Sequence, residues 1–371
     1  MSTSTDLGNG EIQNPGDGLP HTNGGRPRRA TIAAVAELAG VSTATVSRVL
    51  SGGSPVSEST RVRVQAAAES LNYRPSDLTR AIFAGRSNTI GVLFADMRSR
   101  YYVGLIEGIS RVANASDNLA YLAAGNRDDA QDRRILSLMD SHRVRGLITA
   151  AQNNDDIILS MAQSGTECVF ITRQPTLQHS RIHSIRLDNL AAGRLAWKHM
   201  SDIGRTRPLL VNLTPQRETT LERNEGFYTA AAESGVELGA ENSFALSSLD
   251  GPSDDLVRCI RNRWSQGTLD SLVATTGIAT FRAYEALART GLRVPEDVAI
   301  LGFDDFDWAE YLSTPLTVIS QPTVEMGAAA AELILSEPGT SQRLLFPPSL
   351  VVRASTCGNN DDSRAELGAP E

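Results

Sequence analysis

The spacing of apolar positions changes character once along the chain, near residue 90. Before that point the pattern is short and helical. Ile32, Val35, Leu38 and Ala39 recur at intervals of three and four, which predicts one face of a helix with Thr31 as its N-cap and Gly40 as its stop. Ser42 caps a second helix over 43–50, with Val46, Val49 and Leu50 on its inner face. The run Ser51-Gly52-Gly53-Ser54-Pro55 breaks the chain. Ser57 then caps a third helix that carries Val62, Ala66 and Leu71, with Glu58 placed to suit the positive end of its dipole. Three short helices with a tight glycine turn between the first two predict a helix-turn-helix. Arg74-Pro75 ends that unit, and 77–84 reads as one more short helix, stopped by Gly85.

From Ile90 onward, β-rich runs alternate with helical patterns. The pairs are 90–94 with 103–114, 120–123 with 130–142, and 146–149 with 157–163, followed by a strand at 168–172. After Asp188 the cycle restarts: a helix at 191–203, a strand at 209–213, helices at 224–234 and 253–266, a strand at 272–275, a helix at 279–290 and a strand at 298–303. Such alternation predicts parallel sheets covered by helices on both faces, and two series predict two lobes. The fold expected is a small all-α head joined to a two-lobed α/β body.

Composition places the chain among ordinary globular proteins, with 371 residues, 41% apolar and 21% charged. The longest apolar runs, 90–95 and 298–303, are strand-sized and far below the roughly 20 residues of a membrane helix. Residues 1–25 are polar, without the apolar segment of a signal peptide, and read as a disordered tail. Three dispersed cysteines, Cys168, Cys259 and Cys357, suit a reducing cytoplasm and form no metal or redox pair. His179 and His183 lie four apart in a loop-to-strand stretch, read as solvent-facing, with no third ligand nearby. No cofactor or metal is expected.

Charge sharpens the division. The net charge of −8 hides a segment from Arg26 to Arg86 with nine arginines against four acids. That segment is +5, so the rest carries −13. A small basic end on an acidic body is the pattern of a nucleic-acid-binding head on a separate sensor. On the second helix, Thr43 and Ser47 are four apart, as are Ala44 and Arg48, and all four are expected opposite the apolar face, turned toward a major groove. Arg48 can donate a bidentate pair to guanine, and Thr43 and Ala44 can meet thymine methyls. Ser42 belongs to the same set, and the hydroxyls of Thr31, Thr45 and Ser47 near helix N-termini suit phosphates.

These residues carry a resemblance. Thr31-Ile32, Ala39-Gly40-Val41-Ser42, Thr45-Val46-Ser47-Arg48-Val49-Leu50, Val56-Ser57-Glu58 and Asn72-Tyr73-Arg74-Pro75 in the head resemble the LacI/GalR family of transcriptional regulators. So do Asp188-Asn189, Arg223 with Glu225-Gly226-Phe227, Val294-Pro295-Glu296-Asp297, Gly302-Phe303-Asp304-Asp305 and Gln321-Pro322 farther on. The resemblance implies a homodimer on double-stranded operator DNA, with repression as the family default. It also implies a small-molecule effector between two lobes like those of periplasmic binding proteins. The division that follows is 1–28 tail, 29–75 helix-turn-helix, 76–88 hinge helix and linker, 89–187 with 318–345 as the first lobe, 188–317 with 346–356 as the second, and 357–371 tail. In such proteins the hinge inserts an apolar side chain into the minor groove; by register this is Ile82, with Arg80 beside it for phosphates.

Ligands of open α/β sheets bind outside the carboxyl ends of strands. Arg98, Arg100, Tyr101 and Tyr102 follow the first strand, Arg173 follows the strand at 168–172, Arg223 opens a helix and Asp304 ends the last strand. By resemblance Tyr101, Tyr102, Arg173, Arg223 and Asp304 lie near the pocket. Two acids found in many sugar-sensing relatives are missing, with Thr276-Gly277 and Thr172 in their places. Added to Arg98 and Arg100, this predicts a cleft that favours an anion such as a sugar phosphate or organic acid. The alternative for a two-lobed body is a periplasmic-type sugar-binding protein without regulatory role, which has no use for the basic head. An enzyme on a doubly wound fold is disfavoured by the lack of any G-x-x-x-x-G-K-[ST], G-x-S-x-G or H-E-x-x-H motif.

Overall fold

The computed structural model describes residues 30–51, 56–73, 87–94, 100–125, 128–213, 217–247, 251–337 and 339–357. The chain divides into two units, 1–76 and 77–371. The expected tails apart from Cys357, the hinge positions Arg80 and Ile82, and Arg98 lie outside the described residues.

In the first unit, α1 (Ile32–Ala39) starts at Thr31, whose hydroxyl accepts the Ala34 N–H at 3.3 Å. It ends at Gly40 in the left-handed conformation (φ +63°), which lets the Gly40 and Val41 N–H groups fold back onto the carbonyls of Glu37 and Ala36. Ser42 accepts the Thr45 N–H at 3.1 Å and so starts α2 (Thr43–Ser51), and Ser57 caps α3 (Glu58–Ser70). The core is Val35, Ala36, Ala39, Val46, Val64, Ala67 and Ala68. The third-helix face expected from Val62 and Ala66 is corrected: both are exposed, and Val64, Ala67 and Ala68 turn inward. Leu38 is likewise exposed.

The second unit holds two six-stranded sheets. The first runs β11 (Arg343–Phe346), β5 (Ile182–Leu187), β4 (Glu167–Ile171), β3 (Gly146–Thr149), β1 (Thr89–Phe94) and β2 (Leu119–Ala124), all pairs parallel. The second runs β12 (Ser349–Val351), β10 (Thr317–Ser320), β9 (Ala299–Phe303), β8 (Ser271–Ala274), β6 (Pro208–Asn212) and β7 (Ser243–Ala245). Its pairs are parallel except that β12 runs antiparallel to β10. The chain passes between sheets three times, after β5, after β10 and after β11. The expected crossing at 318 therefore moves to follow Ser320, because Val318 and Ile319 pair with β9 and β12, and Phe346 belongs to the first sheet, where it pairs with Leu187.

Each lobe covers its sheet with helices, and in each lobe one helix pair touches backbone to backbone. In the first, α4 (Arg100–Ala115) lies on α11 (Thr323–Leu335). Between them come α5 (Asp129–Ser141), α6 (Asp155–Gln163), α7 (Asn189–Asp202), α8 (Glu218–Glu233), α9 (Asp254–Ser265) and α10 (Gly277–Ala288). In the second lobe α7 lies on α8. A methyl at Gly108 would stand 2.0 Å from the Val324 carbonyl, and one at Gly327 2.1 Å from that of Leu105. In the second lobe the matching clashes are Gly193 on the Arg223 carbonyl at 2.0 Å and Gly226 on that of Leu190 at 2.1 Å. This contact brings the start of α7 against the first turns of α8. Gly226→Ala is therefore expected to cost about 3 kcal/mol, the upper end for overpacking, since backbone rather than a mobile side chain must yield. Urea denaturation checks this, and a loss under about 0.5 kcal/mol would contradict the close approach.

Candidate functional site

In the first unit, Val46 is fully buried and seats α2, leaving Thr43, Ala44 and Arg48 exposed. Arg48 donates Nε to the Ala44 carbonyl at 3.3 Å, which lays its stem along the exposed face. Thr31 and Ser42 are exposed at the two helix starts, and Thr45 is half-buried with its hydroxyl 2.9 Å from that of Ser42. Ser47 differs from expectation: it is 7% exposed. At 100° per residue it falls three positions before Leu50, about 60° from the inner stripe, and so faces the other helices rather than outward.

In the second unit, Arg223 is buried beside the lobe crossing at Asn189. It sits in the second turn of α8, 8% exposed, with Nε on Asn189 Oδ1 at 2.9 Å and Nη1 on the Thr275 carbonyl at 2.5 Å. Its guanidinium lies over the Phe303 ring, 3.7 Å from the centroid. Burial pushes its pKa down to about 10, opposed by the charge of Asp304, so it stays protonated at neutral pH. Asp304 follows β9 in the left-handed region (φ +68°), which aspartate tolerates better than most residues. Its carboxylate accepts from Gln321 Nε2 at 2.6 Å and from the Gly277 N–H at the start of α10. Burial raises its pKa, while these two bonds and Arg223 lower it. A methyl at Gly277 would stand 2.8 Å from Asp304 Oδ2 and 2.5 Å from Phe306, so glycine here lets the carboxylate sit on the helix terminus. Thr276 caps α10 by accepting the Ala279 N–H at 3.2 Å.

Tyr101 joins this group. Burial first, then the neighbouring Tyr102 and Asp304, holds its phenol well above the usual range. A cavity of about 210 Å³ lies beside it, lined by Arg100, Tyr101, Glu107, Asp304 and Gln321 among others. Tyr102 is a correction. It is 9% exposed and stacks on Phe94 with ring centroids 4.5 Å apart, inside the first-lobe core, because successive residues on a helix point 100° apart. Arg100 is placed at the cleft, but it is engaged: it reaches across to Asp307 of the second lobe. Arg173 is anchored separately, with Nε on the Ala151 carbonyl at 2.7 Å and its Nη2 on Asp155. Thr172 before it adopts φ +80°, strained for a β-branched residue. The structure thus brings Tyr101, Arg223 and Asp304 together. It adds Asn189, Thr275 and Gln321, of which Asn189 and Gln321 stood in the family motifs without a role.

His183 is also corrected. It is buried on β5, with Nε2 on Glu167 at 3.1 Å and Nδ1 accepting the Gln342 N–H at 3.1 Å, so it is a packed structural group. Among the described residues no group of three or more metal-ligating side chains comes together, and no single helix is long and apolar enough to cross a membrane.

Comparison with known proteins agrees with both units. Residues 31–76 match the bacterial regulatory proteins of the lacI family, and 197–356 match a periplasmic binding protein-like domain. The regulator PtxS of Pseudomonas putida is 30% identical over 346 residues, 88% of this chain and 96% of that protein. The regulator CelR of Thermobifida fusca is 28% identical over 341 residues, 89% of this chain and 99% of that protein. Among solved structures, a CelR–cellobiose complex covers 88% of this chain and 100% of its own, at 27% identity and TM-score 0.63. A lac repressor dimer bound to operator and the anti-inducer ONPF covers 89% and 99%, at 22% identity and TM-score 0.73, a likeness of fold. A capped helix-turn-helix, two parallel-sheet lobes and relatives matched over nearly their whole length make this chain a member of the LacI family of DNA-binding transcriptional regulators.

Proposed function

We propose that the protein binds operator DNA as a homodimer in the cytoplasm, and that a small neutral, hydroxyl-rich effector in the cleft sets its operator affinity. Repression is the expected response, and no catalytic step is assigned. The observation that carries the DNA reading is the exposed row Thr43, Ala44 and Arg48 on a helix seated by Val46. Thr31, Ser42 and Thr45 supply hydroxyls for phosphates around it, and Ile82 and Arg80 remain the proposed minor-groove pair. Dimerisation is supported by the edge strand β2, where Leu119 and Tyr121 are 65% and 53% exposed on one face. An uncovered apolar edge of this kind needs a partner surface.

The anion expected from the missing acids with Arg98 and Arg100 draws no support from the described arginines, Arg98 lying outside the described residues. It required arginines without acceptors. Arg100 has Asp307, Arg173 has Asp155, and Arg223 has Asn189 and a backbone carbonyl with Asp304 alongside. Asp304 and Arg223 can instead share hydroxyls of an uncharged ligand, accepting and donating in turn, with Tyr101 packed beside them.

Arg48→Ala is expected to lose about 1–3 kcal/mol on the best operator and to relax preference at one base pair. Binding measured across a randomised site library checks this; equal weakening on every sequence assigns Arg48 to a phosphate. Thermal shifts with glucose, cellobiose, glucose 6-phosphate and citrate test the ligand class. Stabilisation by a neutral sugar, lost in Asp304→Asn, is the expected result, and stabilisation by the phosphorylated or carboxylate compounds alone would restore the anion.

A further inference from the structure

Arg223, assigned to the ligand, is held by Asn189, the Thr275 carbonyl and the Phe303 ring, and beyond Asn189 the side chains form a connected path. Glu222 and Arg223 are adjacent on α8, and Asn189, the first residue of α7, stands between their head groups. Asn189 Nδ2 donates to Glu222 Oε2 at 2.9 Å, and Arg223 Nε donates to Asn189 Oδ1 at 2.9 Å. Arg223 can only donate and the Glu222 carboxylate can only accept. A single amide orientation satisfies both, so the carboxylate fixes the amide and the amide fixes the guanidinium.

The path continues into the other lobe. Glu222 Oε1 takes Nη2 of Arg186, which projects from β5 of the first lobe with its side chain 11% exposed. Arg186 Nη1 also reaches Glu218, one turn before Glu222, at 3.4 Å, and donates to Gln174 Oε1 at 3.1 Å. Gln174 directly follows Arg173, and its N–H meets Glu218 Oε2 at 3.4 Å. The buried Nε of Arg186 has no acceptor among the described residues, so its two Nη atoms carry the whole attachment. Arg186 therefore joins the strand-end segment of one lobe to the first turns of α8 in the other, beside the 187–189 crossing.

Resting on the assignment of Arg223 to the ligand, we propose that Glu222 is a positioning residue. It holds Asn189, Asn189 holds Arg223, and Arg186 makes that hold depend on the angle between the lobes. Lobe movement then changes how Arg223 is presented, and a ligand that fixes Arg223 favours one lobe angle.

Phenylglyoxal, which modifies accessible guanidinium groups, tests this on the full chain without any effector. Peptide mass spectrometry follows the rate at each arginine. Glu222→Gln and Arg186→Gln are each expected to raise the rate at Arg223 about fivefold, as expected when a charge-assisted bond holding a buried group is lost. Arg173, equally buried but held by Asp155, serves as internal control and is expected to keep its rate. An unchanged rate at Arg223 in both variants overturns the proposal, as does an equal rise at Arg173, which means general loosening. If Glu222→Gln does not fold, Arg186→Gln decides alone, since it removes no direct contact to Arg223. A rate rise in the absence of any sugar-induced thermal shift keeps the relay and discards the effector reading; the reverse pattern does the opposite.

Discussion

A guanidinium 8% exposed inside a protein is the constraint around which the second unit is arranged. Burying a cation without acceptors costs several kcal/mol, so Arg223 requires partners that are themselves fixed. They come from separate parts of the chain: Asn189 from the lobe crossing, the Thr275 carbonyl from the end of β8, the Phe303 face and Asp304 from the end of β9. Parallel sheets deliver all of these at the carboxyl ends of strands, which is why the site exists only once both series of strands have folded. The glycine contacts between α7 and α8 serve the same end, because side chains at Gly193 or Gly226 would push Asn189 away from Arg223.

Much of this was legible in the sequence, for identifiable reasons. Helix starts were marked by Thr31, Ser42 and Ser57, because a hydroxyl that caps leaves the same trace whatever the tertiary setting. Short buried strands such as β3 at Gly146–Thr149 stood out as continuous apolar runs between helical patterns. What failed was rotational position. Ser47 and Val62 face the other way from their expected positions because a few apolar residues leave the angle of a helix's buried face undetermined by about 60°, and Tyr102 turns inward because its helix starts at Arg100 rather than at 103. α11 went unread because its run of alanines and its glycine are apolar on nearly all sides, a consequence of packing against both α4 and the first sheet.

Site chemistry failed differently. Counting acids and bases along the chain made the cleft look arginine-rich. Asp155, 18 residues before Arg173, and Asp307, which meets Arg100 from the other lobe, neutralise two of them from positions a linear count does not connect. Charge balance in a cleft is a property of the closed topology, invisible to a linear count. The same limit hid Asn189 and Gln321: each appeared in a recognisable dipeptide, but their amides acquire roles only through partners on other elements, Glu222 and Arg223 for Asn189 and Asp304 for Gln321.

The two units differ in their balance of charge along the sequence: nine arginines against four acids over residues 26–86, and a surplus of acids in the remainder. In the body, several arginines are tied to carboxylates of the same unit, as with Arg353 on Asp305 at 2.8 Å and Arg133 on Asp156 at 2.6 Å. In the head, Arg48 lies on an exposed helix face and directs Nε to the Ala44 carbonyl. A charge retained at the surface attracts polyanions over a Debye length, about 8 Å at physiological salt, whereas a charge neutralised within a cleft can only discriminate by hydrogen-bond direction at contact. A regulator needs both behaviours in one chain, and the sequence separates them by where its acids fall: few among the arginines of residues 26–86, and a surplus beyond.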